Sequence, residues 1–307
     1  AYYEANGTPV EIGMPRVHLI RWTRNDAGKP LSKTLFDQNR EPIADAKGAH
    51  ATEWQYDDNN CVSQVAVFDV NREATTSVHG VHVTRYLNSP SCVVELEAYY
   101  NRSGKPTKGF LAAYQIKSTH NDKGQVTSTR YLDQKGRPMR ATGTRIYGVE
   151  NEFDEQGRQL ALQYVSADGG PYKGLGGYGR REWSYQADGS WSHRYLWNDM
   201  PVAVARGHHF NGQAGEDAIL VGGRVTTCTF VGKDGAPVDA SFPAMPMSGM
   251  KTLTAGRVRR IEFSYNGSGR LTEQAFYRGE SALPDRLVSC SEYPCVDDSC
   301  LNLIDRR

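Results

Sequence analysis

The chain has 307 residues, with 36 Lys and Arg against 35 Asp and Glu and a formal net charge of +1; that balance excludes the basic surplus with which nucleic-acid binders displace counterions from phosphates. Mean hydropathy is -0.61, and no apolar run approaches the ~18 residues of a membrane helix. The 17 Tyr, 31 Gly and 14 Pro describe a soluble, folded, turn-rich chain rather than a disordered one.

The chain opens on Ala1-Tyr2-Tyr3-Glu4, without the basic and apolar stretches of a signal peptide. It enters in the middle of a repeat, as a processed or trimmed longer protein would. A first class of turn runs through Asn25–Lys29, Asp57–Cys61, Asn121–Gln125, Asp154–Arg158 and Gln186–Ser190, with a weaker copy ending at Cys92. These segments recur every 31–33 residues. A second turn lies in each unit and leads to Pro9, Pro42, Pro106, Pro138 and Pro171, with Ala74 in the missing place. A glycine closes many units: Gly13, Gly48, Gly80, Gly143 and Gly177.

Asp or Asn starts such a turn by bonding its own backbone, and Gly takes the positive φ at its end, so the pattern predicts hairpins. The arms alternate with period two, as in Thr52–Tyr56, or are β-branched, as in Val62–Phe68. They read as strands of roughly 6–8 residues. Helical periodicity is nowhere sustained. The expected fold is all-β: a tandem array of stacked β-hairpins forming an elongated or curved antiparallel sheet, with a disulfide-held C-terminal cap. The regular repeats cover residues 1–206, and degenerate repeats with loop insertions and a Cys-rich cap cover 207–307.

Stacking places equivalent residues side by side. Trp22, Trp54 and Trp183 share one slot; Phe36, Phe68, Tyr99, Tyr131, Tyr164 and Tyr195 share another. The ladders read as a structural spine or, where exposed, as rings that stack on sugar or peptide. Cys61 and Cys92 hold equivalent slots in neighbouring units and are expected to form a disulfide. Cys228, Cys290, Cys295 and Cys300 remain, and one tail cysteine is expected to bind Cys228. Six cysteines without a zinc spacing favour a periplasmic or secreted setting.

The pattern breaks at Gly207–Asp217, recovers at Thr229–Pro237, is interrupted by the Met-rich loop Pro243–Met250, and resumes at Arg257. His208, His209, Glu216 and Asp217 form the single His/acid cluster in the sequence. Adjacent histidines on a strand point to opposite faces, so a solvated loop is the plainer reading and a zinc site the sharper one. The Met-rich loop reads as an apolar contact rather than a copper site. Each Asp-rich turn offers too few oxygens for calcium. There is no Gly-x-Ser-x-Gly or phosphate-binding Gly-rich loop. No cofactor is expected.

Aromatic-Asp-x-x-Gly, as in Phe153-Asp154-Glu155-Gln156-Gly157, resembles the tyrosine–aspartate (YD) repeats of bacterial Rhs-type proteins. The longer period, with Asp133-Gln134-Lys135-Gly136-Arg137-Pro138, is similar to tandem units of about 32 residues in bacterial envelope and secreted proteins. Rhs-type arrays wrap into shells around toxin cargo, so the resemblance implies protein contact rather than catalysis, and it carries over no catalytic residue. The expected function is non-enzymatic recognition of another protein outside the cytoplasm, toxin-associated or toxin-neutralising. The alternatives are a carbohydrate-binding module using Trp22, Trp54, Trp183, Tyr131, Tyr164 and Tyr195, and a metal-dependent hydrolase centred on the 207–217 loop.

Overall fold

The computed structural model describes residues 17–77, 79–142, 145–204, 212–242, 256–279, 281–282 and 288–289. It divides into two compact units, residues 1–148 and 149–307. This division does not coincide with the break in sequence pattern after residue 206.

Unit 1 is a meander of eight antiparallel strands: β1 (Leu19–Arg24), β2 (Pro30–Phe36), β3 (Ala51–Tyr56), β4 (Val62–Phe68), β5 (Val83–Asn88), β6 (Val94–Tyr100), β7 (Gln115–His120) and β8 (Val126–Leu132). Each pairs with the next. A 3-10 turn at Phe110–Ala112 is the one helical element among the described residues. In unit 2 the same plan continues through β9 (Gly148–Phe153), β10 (Gln159–Val165), β11 (Arg180–Tyr185) and β12 (Trp191–Trp197). The short β13 (Met200–Pro201) folds back on β12, which then pairs with β14 (Gly215–Val221). β15 (Arg224–Val231) follows, β16 (Ala240–Phe242) and β17 (Gly256–Val258) form a separate pair, and β18 (Arg260–Tyr265) pairs with β15 and with β19 (Leu271–Arg278). The two-residue strands β20 (Ser281–Ala282) and β21 (Val288–Ser289) lie against β19. The all-β hairpin array is therefore as the sequence predicts. The C-terminal cap and Cys290, Cys295 and Cys300 lie outside the described residues.

The turn chemistry explains the strands. In the first turn the leading Asp or Asn oxygen accepts two backbone N–H groups: Asp57 Oδ1 from Asn59 and Cys61, Asn121 Oδ1 from Lys123 and Gln125. The fourth residue takes a positive φ, 76° at both Gly28 and Gly124. A register shift beside each turn marks a bulge. The second turn sends the chain back to bridge the strand it has just left, Phe36 to Pro42 and Tyr100 to Pro106. Proline suits that place, since its missing N–H is not required by the bridge.

The third, Gly-marked turn lies over the sheet. In unit 1 Gly109 packs directly on the ring of Tyr99, which is buried. Gly174 lies on the ring of Tyr164 in the same way in unit 2. A Cβ at either position would overlap the ring. Gly109→Ala is expected to lower the stability of unit 1 by about 1–3 kcal/mol through overpacking. Urea unfolding with an unchanged m-value would report it.

Two slot assignments made from spacing are corrected by the register. Phe36, Phe68 and Tyr100 occupy one slot, the residue bridged after the second turn. Tyr99 instead aligns with Leu35 and Val67, which accept from Ile43 N and Thr75 N as Tyr99 accepts from Thr107 N. Within unit 1, Phe36 and Phe68 thus face the opposite side of the sheet from Tyr99 and Tyr131, because a one-residue slip exchanges faces. The disulfide correction is of the same kind. Cys61 and Cys92 are bridged, with Cα atoms 5.1 Å apart. They are not equivalent: the turn bonds of Asp57 to Cys61 and Ser89 to Val93 make Val93 the counterpart of Cys61. Cys92 occupies the usual glycine position, at φ 64°.

Candidate functional site

The strands of unit 1 carry an aromatic strip on one face. Trp22 stands opposite Lys33, Trp54 opposite Val65, and Tyr86 opposite Glu97, so all six side chains share that face. The Trp22 and Trp54 rings stack with centroids 5.7 Å apart. Trp22 is 44% exposed, and Trp54 and Tyr86 are half-buried. Cations lie over the rings: Arg24 and Lys33 over Trp22, Lys29 over Tyr56. Beside the strip is a groove of about 600 Å³ lined by Trp54, Tyr56, Val65, Tyr86 and the Cys61–Cys92 bridge.

In unit 2 the same strand position is core on β11 and β18. Trp183 is 7% exposed and stacks on His193 at 4.7 Å. Around it lies a buried polar chain. Arg181 Nε donates to His193 Nε2 at 3.1 Å, so the imidazole proton resides on Nδ1 and faces Glu216 Oε2 at 3.9 Å. Tyr195 OH donates to Glu216 Oε1 at 3.3 Å. His193 and Glu216 are fully buried, and Arg181 nearly so. Burial pushes the His193 pKa down to about 4, with the Arg181 and Arg194 charges acting in the same direction and Glu216 opposing. Burial likewise raises Tyr195 well above the phenol range. The ring nitrogens of His193 are turned to Arg181 and Glu216, and the cluster links β11, β12 and β14 in the interior of unit 2.

That depression of His193 has a defined consequence. Above pH 6.5 the imidazole is neutral whether the chain is folded or unfolded. As pH falls from 6.5 toward 4, the unfolded chain takes up a proton that the folded one excludes, and stability is lost. The loss across this window is about 3 kcal/mol. Urea midpoints at pH 7 and pH 4.5 are expected to diverge in the native chain and to converge in His193→Gln. The aspartates held below their usual range, Asp133 and Asp154 among them, act only at lower pH.

The residues singled out from sequence fall in different places. Trp22 and Trp54 are on the open strip. Trp183, Tyr131 at 7% and Tyr195 at 1% exposure are interior, and Tyr164 is half-buried with its hydroxyl 3.0 Å from that of Tyr178. Buried rings cannot stack on sugar, so the ladder is not a continuous binding platform. Glu216 and Asp217 point to opposite faces of β14, Asp217 pairing with Arg194 at 2.6 Å. They do not converge on one site. His208, His209 and the Met-rich loop lie outside the described residues. Cys228 is buried in the unit 2 core with Phe230, Ile261 and Phe263. Among the described residues no group of three or more His, Cys, Asp or Glu is placed to hold a metal ion, and no helix is long and apolar enough to cross a membrane.

Two features escaped the spacing analysis although the sequence carries them. His18, His50 and His82 recur at 32 residues. His50 and His82 set their rings edge-on against Phe36 and Phe68, at 5.5 and 5.3 Å. Each anchors a carbonyl through Nδ1, Ile43 O and Val67 O respectively. The Arg181–His193–Glu216 chain shows as charge where other units place Ile20, Thr52, Thr84 and Ile116. Departure from the repeat is its signature.

No protein-family model matches the chain, and no curated protein does. Among solved structures it is similar to TcdB2-TccC3, with a TM-score of 0.52 and 12% identity, covering 89% of this chain and 13% of that chain. TcdB2-TccC3-Cdc42 gives 0.43 and 13%, over 91% of this chain and 12% of that one. The Photorhabdus luminescens Tc holotoxin pore gives 0.32 and 13%, over 91% and 14%. At this identity the first likeness shows a shared fold, and the chain spans a small part of the length of the structures it resembles.

Proposed function

We propose that this chain is a non-enzymatic β-repeat protein that acts outside the cytoplasm by recognising another protein, a toxin-associated or toxin-neutralising role being one case. The observation that carries this reading is the aromatic strip of unit 1. Its rings are partly open to solvent, whereas the equivalent Trp183 and Phe263 of unit 2 are buried. A half-exposed apolar surface on a hydrogen-bonded strand array is a common form of protein contact site. The Cys61–Cys92 disulfide supports an oxidising compartment. The shared fold with TcdB2-TccC3 supports a role within a multi-protein assembly. The Trp22–Trp54 stack favours a second reading, glycan binding, which the burial of Trp183, Tyr131 and Tyr195 opposes.

The test is photo-crosslinking in the source cells, with a benzophenone side chain placed at Val94, which borders the groove beside the strip and is 36% exposed. One discrete protein adduct is the expected result. Absence of any adduct, together with retention of the chain on polysaccharide, would contradict the proposal.

A further inference from the structure

We infer that the groove beside the Cys61–Cys92 bridge is the recognition site, and that its occupant is a protein segment presenting an apolar or aromatic side chain flanked by carboxylates. This rests on the protein-recognition reading above. The groove, about 600 Å³, is of the size that holds side chains or small ligands. Its walls are held in place before any partner arrives. Tyr56 OH donates to Pro30 O at 2.7 Å, Trp54 stacks on Trp22, and the disulfide fixes one end.

Two polar groups of the lining already bond within the protein. Asn88 Nδ2 donates to Val62 O at 2.8 Å and to Asp57 Oδ2 at 3.2 Å. Lys29 Nζ donates to Asn60 O. A pyranose brings hydroxyls around its whole ring, and such a site leaves most of them unpaired, which is costly. An apolar side chain carries no such requirement. Charge then selects what flanks it. Lys29, Lys33 and Arg24 border the rings. Asp57, whose charge interacts with that of Lys29, accepts the N–H groups of Asn59 and Cys61, and Glu97 stands opposite Tyr86 on the same face. A cationic rim favours an acidic partner and penalises a basic one.

The test is calorimetric titration of the whole oxidised chain with four probes. One is a blocked hexapeptide with two central aromatic residues between paired acidic ones; the second is its lysine counterpart. The third and fourth are cellohexaose and a hyaluronan hexasaccharide. The acidic peptide is expected to bind at least about tenfold more tightly than the lysine peptide. Lys29→Glu with Lys33→Glu, both half-buried, is expected to reverse that order while the sheet signal in circular dichroism is retained. Trp54→Ala is expected to abolish binding; should it fail to fold, the charge reversal alone decides. Binding of neither peptide, equal binding of both, or oligosaccharide binding in place of peptide binding overturns the inference. So does undiminished affinity of the charge-reversed chain for a protein recovered by crosslinking, and in that case protein recognition itself would stand.

Discussion

Replacing Glu216 by alanine is expected to lower the unfolding free energy of unit 2 by about 3–5 kcal/mol. Glu216 is the one carboxylate in a fully buried chain that runs from Arg181 through His193. Removing it takes the carboxylate from beside His193 and removes an acceptor of the Tyr195 hydroxyl. Both penalties fall on groups that water cannot reach. The pair itself adds little net stability over an apolar core, so the triple replacement Arg181→Ile, His193→Val, Glu216→Ile is expected to recover much of the loss. Those residues restore the character of the equivalent positions Ile20, Val65 and Ile116. Denaturant titration followed by Trp183 fluorescence measures both; an alanine variant within 1 kcal/mol of the native chain would mean that solvent already reaches Glu216.

Loss of the disulfide should have an effect of similar size on unit 1. The bridge closes a loop of 31 residues, for which chain entropy gives about 3–4 kcal/mol. Cys61→Ser is expected to show this in full. Cys92 stands at φ 64° in a place that other turns give to glycine. Cys92→Gly therefore loses the bridge but relieves the backbone, and is expected to be about 1 kcal/mol more stable than Cys92→Ala. Equal stability of the two variants would show that the turn changes conformation once the bridge is gone.

Much of the fold was legible because its determinants are local. Asp or Asn at the head of a turn, Gly at its fourth position and Pro after the second turn each act within a few residues, and their spacing of about 32 exposes the repeat. Face assignments were less secure, because the sequence spacing varies between 31 and 33 while the sheet alternates with period two. The step from Phe68 to Tyr99 looked regular and crossed from one face to the other. The same offset hid the glycine-like role of Cys92. Burial was not legible at all from slot membership. Trp22, Trp54 and Trp183 are equivalent in sequence, yet two lie on an open strip and one is sealed by His193 and the residues that follow. That difference depends on which neighbours fill the adjoining slots. For the same reason the Arg181–His193–Glu216 chain was visible only as a departure from the repeat.

The measurement that bears most directly on function is a titration of the oxidised chain against the protein it retains from extracytoplasmic fractions of its own source. Protein recognition requires saturation at a fixed stoichiometry; loss of binding in Trp54→Ala and in Lys29→Glu with Lys33→Glu assigns the contact to the groove. Retention of polysaccharide alone, or of no macromolecule under oxidising conditions, would contradict it and return the Trp22–Trp54 stack to a glycan-binding role.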